Sequence, residues 1–127
     1  METKILYKDE SYRIIGLCMK IHTKLGKGFK EIVYKDAFEV ELIKEKIVFE
    51  REKEFFVQYD NVVLERKFDV DCFVFGSIVL EIKASSQIRA DNFRQTLNYL
   101  KTSQIKLGIL INFGADKLQF QRVICTY

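Results

Sequence analysis

The fold of this chain is decided by the stretch Phe68–Ala84, FDVDCFVFGSIVLEIKA. Two apolar runs rich in β-branched and aromatic residues flank a Gly-Ser break, a pattern that predicts a β-hairpin. Because side chains alternate between the two faces of a strand, Glu81 and Lys83 share one face and their apolar neighbours share the other. Asp71 lies on the preceding strand, which the turn brings alongside. The hairpin therefore places two acids and one amine on one patch of a largely apolar sheet.

Composition and length narrow the class of protein. A chain of 127 residues predicts a single domain over 1–127, and a hydrophobic content of 48% is typical of a folded globule. Charged residues interrupt every apolar run before membrane length, and the N-terminal segment lacks the apolar region of a secretory signal. We therefore expect a cytoplasmic protein with no membrane partner. The net charge of +3 permits a nucleic-acid partner without requiring one.

The cysteines do not suggest a metal site. Cys18, Cys72 and Cys125 are widely spaced, odd in number and form no Cys-x-x-Cys pair. Each lies in an apolar run, so we expect buried, reduced thiols rather than disulfides or zinc ligands.

Hydrophobic periodicity predicts the element order α-α-β-β-β-α-β-β. The predicted helices cover about 9–25, 29 or 30–46, and 87 or 89–102, and the predicted strands cover 47–59, 62–75, 77–84, 107–112 and 118–125. There is no proline, internal repeat or linker to divide the chain. This order predicts a compact α/β domain with a central mixed β-sheet flanked by helices.

The two later helices each have a predicted buried side. In the second helix the expected core stripe is Val33, Ala37, Val40 and Ile43 or Lys44, and a second face carries Glu31, Tyr34, Phe38 and Glu41. In the third helix the expected buried side is Phe93, Leu97 and Leu100. Gln95 and Tyr99 lie four residues apart and are expected on the opposite, polar face.

The acids and the amine of the hairpin suit phosphodiester hydrolysis. That reaction needs an activated water and a stabilised anionic transition state, and Mg²⁺ or Mn²⁺ can supply both. Such ions prefer oxygen ligands, which Asp71 and Glu81 offer. The backbone carbonyl of Ile82 and the carboxylate of Glu31 are further candidate ligands. Lys83 can orient or deprotonate the attacking water, or offset the growing phosphate charge.

Other polar side chains have both a functional and an ordinary interpretation. Gln95 and Tyr99 can bond Lys83, a ligand carboxylate or a phosphate, but a polar helix face would look the same. A Glu-x-Lys pair in a strand can equally be a solvent-facing ion pair. Basic residues that can flank a phosphate-binding groove are Lys27, Lys30, Arg89 and Arg94.

Taken together, these motifs resemble the PD-(D/E)XK nuclease superfamily. The resemblance is carried by Asp71, Glu81-x-Lys83 and Gln95-x-x-x-Tyr99, and the last is similar to RecB-type and lambda-type exonucleases. The stretch GFKEIVY at 28–34 is similar to the GxxExxY family of small proteins. QTLNYL at 95–100, GILINFG at 108–114 and Arg122-Val123 also fit that family, so that the match spans 21–123.

The resemblance implies a restriction-endonuclease-like core and a divalent-metal site. Its implied roles are metal ligation by Asp71 and Glu81, a catalytic Lys83, a helix-borne acid at Glu31, and a supporting pair of Gln95 and Tyr99. One departure is Asn92, which stands where the family often has a histidine. Substrate contact or pH dependence would then differ in this chain.

The leading hypothesis is a Mg²⁺- or Mn²⁺-dependent nuclease acting on DNA rather than RNA. A nuclease this small can need a second copy to grip a duplex, so a homodimer is one expected form. The first alternative is a nucleic-acid-binding module that keeps the fold with little or no hydrolysis, as the missing histidine suggests. The second is a protein-interaction subunit that uses exposed aromatics such as Phe55 or Phe120.

Overall fold

The structure, a computed structural model, describes residues 5–126 as three helices and five strands. The elements are α1 (Lys8–Leu25), α2 (Glu31–Lys44), β1 (Phe49–Tyr59), β2 (Val62–Val74), β3 (Ile78–Lys83), α3 (Ala90–Ser103), β4 (Leu107–Asn112) and β5 (Gln119–Ile124). The predicted order is confirmed. Within the described part of the chain, none of the helices has the length and apolar character that a membrane crossing requires.

The five strands form one mixed sheet in the order β1-β2-β3-β4-β5. Neighbouring strands are antiparallel except β3 and β4, which are parallel and are connected by α3. A parallel pair needs such a crossover, because its strands start at the same edge. Both β3 and β4 are covered on both faces, which explains their nearly continuous apolar sequences. In this register Lys83 pairs with Asn112.

The predicted turns form the two hairpins. Phe75 and Gly76 between β2 and β3 take left-handed φ values of 59° and 64°, and the Ser77 hydroxyl donates a hydrogen bond of 2.9 Å to the Phe75 carbonyl. Between β1 and β2, Asp60 takes a φ of 54°. The Gly-Ser and Asp-Asn breaks in the sequence therefore indicated both turns correctly.

Two apolar clusters cover the two faces of the sheet. Leu80 and Ile82 pack into the larger cluster with α1 and α2, whereas Val79 packs into the smaller one with Leu100 of α3. This alternation confirms the predicted faces of β3 and directs Glu81 toward the α3 side. All three cysteines are buried and unpaired, as predicted.

The buried stripe of α2 differs from the prediction. Its buried side chains are Tyr34, Phe38, Glu41 and Leu42. Val40 and Ile43, placed in the core by the prediction, are 50% and 62% exposed. The predicted stripe was wrong because the large aromatic rings bury more apolar area than the β-branched side chains beside them. The ring of Tyr34 stacks on Phe113 with centroids 4.5 Å apart.

Two polar groups on this stripe are satisfied within the protein. The Tyr34 hydroxyl donates to the Gly26 carbonyl at 2.6 Å and accepts from the Phe29 amide at 3.3 Å, so it fixes the loop before α2. Glu41 accepts a hydrogen bond of 3.0 Å from Lys20, and this bond lowers the pKa of the Glu41 carboxyl. The tyrosine of the GxxExxY-like stretch is therefore a packing residue.

A buried amide fixes the loop that follows β3. The Asn112 side chain accepts from the amides of Ser85 and Gly114 and donates to the Ser85 carbonyl and to Gln119 Oε1, at 2.8–3.1 Å. These four bonds satisfy the whole side-chain amide. The segment immediately after Lys83 is therefore held against β4 and β5.

Gly114 is expected to tolerate no side chain. A Cβ at this position would lie 2.2 Å from the Ser85 carbonyl oxygen. We expect Gly114→Ala to lower the free energy of unfolding by about 1–3 kcal/mol or more, measured by urea denaturation. Gly16→Ala is the matched control, since its Cβ would meet nothing within 4 Å in α1 and should stabilise the helix by roughly 0.5–1 kcal/mol. Equal urea midpoints for Gly114→Ala and the unmodified protein would contradict this packing.

Candidate metal centre

The candidate site lies where β2 and β3 separate. Their backbone pairing runs from Val74 with Ile78 to Cys72 with Leu80 and then ends. Beyond that point, the carboxyl groups of Asp71 and Glu81 accept main-chain hydrogen bonds across the two strands. The Ile82 amide donates to Asp71 Oδ2 at 2.7 Å, and the Asp71 amide donates to Glu81 Oε2 at 3.3 Å.

The two carboxyl groups of this pair affect each other strongly. Glu81 is 5% exposed, and burial raises the pKa of its carboxyl from 4.5 to about 9. The charge of Asp71 and a hydrogen bond between the two carboxyl groups raise the Glu81 pKa further, and the charge of Lys83 lowers it by less. Without a cation the pair therefore holds one proton at neutral pH.

Lys83 is placed by the end of β3. It follows Glu81 by two residues and so shares its face, and its own carbonyl accepts the Phe113 amide at 2.9 Å. The loop after it is held by Asn112. Lys83 thus stands on a fixed backbone at the end of the strand that carries Glu81, and its catalytic role stays a prediction.

Lys35 is a site residue that the sequence analysis missed. Its ammonium lies 2.9 Å from Asp71 Oδ1 and 3.5 Å from Glu52 Oε1. Burial lowers the pKa of Lys35, but its hydrogen bond to Asp71 and the charges of Asp71 and Glu52 outweigh this, so the pKa is raised. The available signal was its place one helical turn after Glu31, on the same face of α2.

Tyr99 approaches the acid pair from α3. Its ring stacks on Phe68 with centroids 4.4 Å apart. Burial raises the pKa of the Tyr99 phenol, and the charges of Glu81 and Asp71 add to this, which means that the hydroxyl lies within electrostatic reach of both acids. Gln95, one turn earlier, is exposed to solvent, and its pairing with Tyr99 in the site stays a prediction.

Asn92, the position of the missing histidine, has a structural role. Its Oδ1 accepts the Arg89 amide at 3.0 Å at the start of α3. Such a bond satisfies one of the orphan donors at a helix N-terminus. Asn92 therefore caps the start of α3.

The other two predicted metal ligands, Glu31 and the Ile82 carbonyl, are not shown to join the acid pair. Among residues 5–126, no three His, Cys, Asp or Glu side chains come together as a group that could hold a metal. Glu31 begins α2 one turn before Lys35, and the Ile82 amide is engaged by Asp71. Glu31 and the Ile82 carbonyl stay predictions as ligands.

The predicted phosphate-binding residues lie on the surface. Lys27 forms an exposed ion pair of 2.6 Å with Asp116. Lys30 and Arg89 occupy the N-cap positions of α2 and α3, and Arg94 is exposed on α3. Their contact with a phosphate stays a prediction.

The donor set of the pair fits one class of ion. Mg²⁺, and by its similar chemistry Mn²⁺, is commonly held by one or two carboxylates, with waters and substrate phosphates completing the shell. Asp71 and Glu81 offer that number of carboxylates, and a cation between them would relieve their repulsion.

Comparison with known proteins identifies a family. The family model of the PD-(D/E)XK nuclease superfamily matches residues 8–123. The crystal structure of SSO0001 has a TM-score of 0.58 and 20% sequence identity to this chain, covering 95% of this chain and 58% of that one. This likeness concerns the fold, and the chain spans little more than half of that protein's length. No curated protein matches the chain.

These findings confirm the predicted restriction-endonuclease-like α/β fold, with a five-stranded mixed sheet flanked by helices. The narrower assignment to the GxxExxY family stays a prediction.

The buried acid predicts how stability depends on pH in the absence of metal. Because the Glu81 pKa is raised from 4.5 to about 9 on folding, the native protein keeps a proton that the unfolded chain releases between these values. In EDTA, the free energy of unfolding should therefore fall as pH rises from about 5.5 to 7.5, by up to about 1.4 kcal/mol per pH unit from this group.

Urea denaturation at several pH values measures this slope, and Glu81→Gln should remove it. The range ends near pH 7.5 because burial also raises the pKa of the Cys18 and Cys72 thiols, which would add their own loss of stability at higher pH. Equal slopes in the two proteins would show that Glu81 is not held protonated.

Proposed function

Because this chain belongs to the PD-(D/E)XK nuclease superfamily, we propose that it is a divalent-metal-dependent nuclease that hydrolyses phosphodiester bonds in DNA. One observation carries the proposal. Asp71 and Glu81 converge in the gap between two central strands, and Lys83 follows on the face of Glu81. Two carboxylates and an amine are the groups that a metal-dependent phosphodiesterase site needs.

Asp71 and Glu81 are the proposed ligands of Mg²⁺ or Mn²⁺, with the Ile82 carbonyl and Glu31 as further candidates. When bound, the ion would supply Lewis acidity and positive charge at the scissile phosphate. The protein's part is to keep the two carboxylates fixed. Each carboxyl group accepts a hydrogen bond from a main-chain amide of the opposite strand. These two bonds prevent the carboxyl groups from turning away from one another.

Lys83 is the proposed catalytic amine. A fixed ammonium beside the phosphate can orient the attacking water and stabilise the charge that develops in the transition state. Tyr99 and Gln95 are proposed to support it from α3. Stacking on Phe68 restricts the Tyr99 ring, so its hydroxyl has a defined position near the acids.

The balance of charge along the chain favours the part that follows the β1–β2 hairpin as the DNA-binding region. Residues 75–126 contain seven Lys or Arg and three Asp or Glu, whereas the hairpin 49–74 contains four and seven, respectively. Phosphate contacts are dominated by basic side chains, so the hairpin is an unfavourable binding surface. We propose that Arg89 and Arg94 at the start of α3, and Lys27 and Lys30 before α2, contribute the phosphate contacts.

A second candidate function is nucleic-acid binding without turnover. One observation favours it, since both oxygens of Asp71 already have partners within the chain, Ile82 and Lys35. The protein-interaction alternative gains less support. Phe55 packs against Phe68 and Phe73 instead of standing free, although Phe120 is exposed.

The direct test is cleavage of linear, nicked and circular DNA with Mg²⁺ or Mn²⁺, resolved on gels. We expect cleavage by the unmodified protein and a loss of about 10²–10⁴-fold in rate for Glu81→Gln and for Lys83→Met. Lys106→Met is the matched control. Lys106 precedes Leu107, which pairs with Ile78, so it lies at the opposite end of the sheet from Lys83.

Cleavage that persists in Glu81→Gln would show that the activity belongs to another site or a contaminant. Salt-sensitive DNA binding with no cleavage in either metal would instead support the second candidate function.

Metal binding has a readout that needs no substrate. A ligand that binds only the folded state stabilises it by about 2.7 kcal/mol at a concentration of 100 times its Kd. We expect Mg²⁺ or Mn²⁺ to raise the Tm of the unmodified protein by several degrees and to leave that of Asp71→Asn/Glu81→Gln unchanged. Differential scanning fluorimetry measures both, each against its own EDTA baseline. Equal shifts in the two proteins would place the metal elsewhere.

A further inference from the structure

The outer oxygen of Asp71 is occupied by a cation that belongs to the protein. Oδ2 accepts the Ile82 amide, and Oδ1 lies 2.9 Å from the Lys35 ammonium. The side chains of Lys35 and Asp71 are only 17% and 15% exposed, so water screens this pair weakly. A divalent cation on Asp71 would meet this ammonium at close range.

A second acid, Glu52, also lies close to the Lys35 ammonium. Glu52 lies opposite Asp71 in the β1–β2 register, between the pairs formed by Arg51 and Lys53, and its Oε1 is 3.5 Å from Lys35 Nζ. Glu52 also takes a left-handed φ of 53° within the strand. A non-glycine residue in this region is strained, and irregularities of this kind redirect side chains next to functional sites.

We propose that Lys35 is a positioning residue of the metal centre, whose ammonium substitutes for the divalent cation on Asp71 in the metal-free protein and moves to Glu52 when the cation binds. The inference rests on the proposed function, since it assumes a cation at Asp71 and Glu81. Lys35 thereby sets the affinity of the site for metal.

The movement is small. The Lys35 stem has four rotatable carbon segments, and Glu52 is already within 3.5 Å of the amine, so no backbone shift is needed. Two positive charges a few ångströms apart repel in a weakly screened site, which drives the amine away from Asp71 once a cation arrives. In the metal-free protein this ion pair holds the Asp71 carboxylate in place.

The test is the Kd for Mn²⁺ near pH 7.5, measured from the paramagnetic resonance signal of free Mn²⁺. Lys35→Met removes the charge and keeps the length, so we expect its Kd to fall by about three- to thirtyfold and its metal-free Tm to fall as well. Lys35→Arg keeps the charge and should have a Kd near that of the unmodified protein.

Lys20→Met is the matched control for the loss of a partly buried ion pair. Lys20 lies 3.0 Å from the buried Glu41, a distance close to that between Lys35 and Asp71. It should lower the Tm and leave the Kd for Mn²⁺ unchanged. A purely structural role of Lys35 would give the same result as Lys20.

Glu52 is tested in a double-mutant cycle. Glu52→Gln should weaken Mn²⁺ binding in the unmodified background, because the amine loses its alternative partner. The same change in the Lys35→Met background should have little effect, since no amine remains to be moved. Equal effects in both backgrounds would show that Glu52 acts on the metal independently of Lys35.

The outcomes separate the inference from the proposed function. Mn²⁺ binding that is lost in Glu81→Gln but is unchanged or weaker in Lys35→Met overturns the role of Lys35 and leaves the metal site intact. If neither the unmodified protein nor Lys35→Met binds Mn²⁺, the proposed metal centre fails and the inference with it. Binding that appears only in Lys35→Met supports the inference.

Discussion

The structure depends on an exchange of hydrogen bonds between two central strands. Past Cys72 and Leu80, where the backbone ladder ends, carboxyl oxygens of Glu81 and Asp71 accept the main-chain amides of Asp71 and Ile82. The exchange leaves these amides satisfied in a buried setting. Its cost is the repulsion of two acids in a poorly solvated gap, which the Glu81 proton, the Lys35 ammonium and Lys83 each reduce.

The surroundings of this gap explain how it stays open. The stack of Tyr34 on Phe113 joins α2 to the end of β4, and the next residue back, Asn112, anchors the loop that leaves β3 after Lys83. One ring contact and one amide therefore connect the helix of the GxxExxY-like stretch to the strand of the acid pair. Both elements meet at the same end of the sheet, so the position of the acid pair depends on the packing of α2 there.

The sequence predicted the features that depend on neighbours along the chain. The hairpin, the alternation of Leu80, Glu81 and Ile82, and the element order follow from local patterns. Lys35 was missed because its contact with Asp71 depends on the rotation of α2 over the sheet, which the predicted stripe misplaced. The predicted stripe of α2 was displaced by one residue, which amounts to about 100° of helix rotation. That difference exposes Val40 and turns other side chains of α2 toward the sheet.

The turn at 75–77 sets the spacing of the two acids along the chain. Asp71 and Glu81 are separated by ten positions, and closing so short a segment takes about 10–100 ns and little entropy. Lengthening the tip at 60–61 would leave their spacing untouched. A single residue gained or lost between β2 and β3 would instead slip the register and send Glu81 to the opposite face. The length of the turn at 75–77 is therefore a constraint on the acid pair that the length of the 60–61 turn is not.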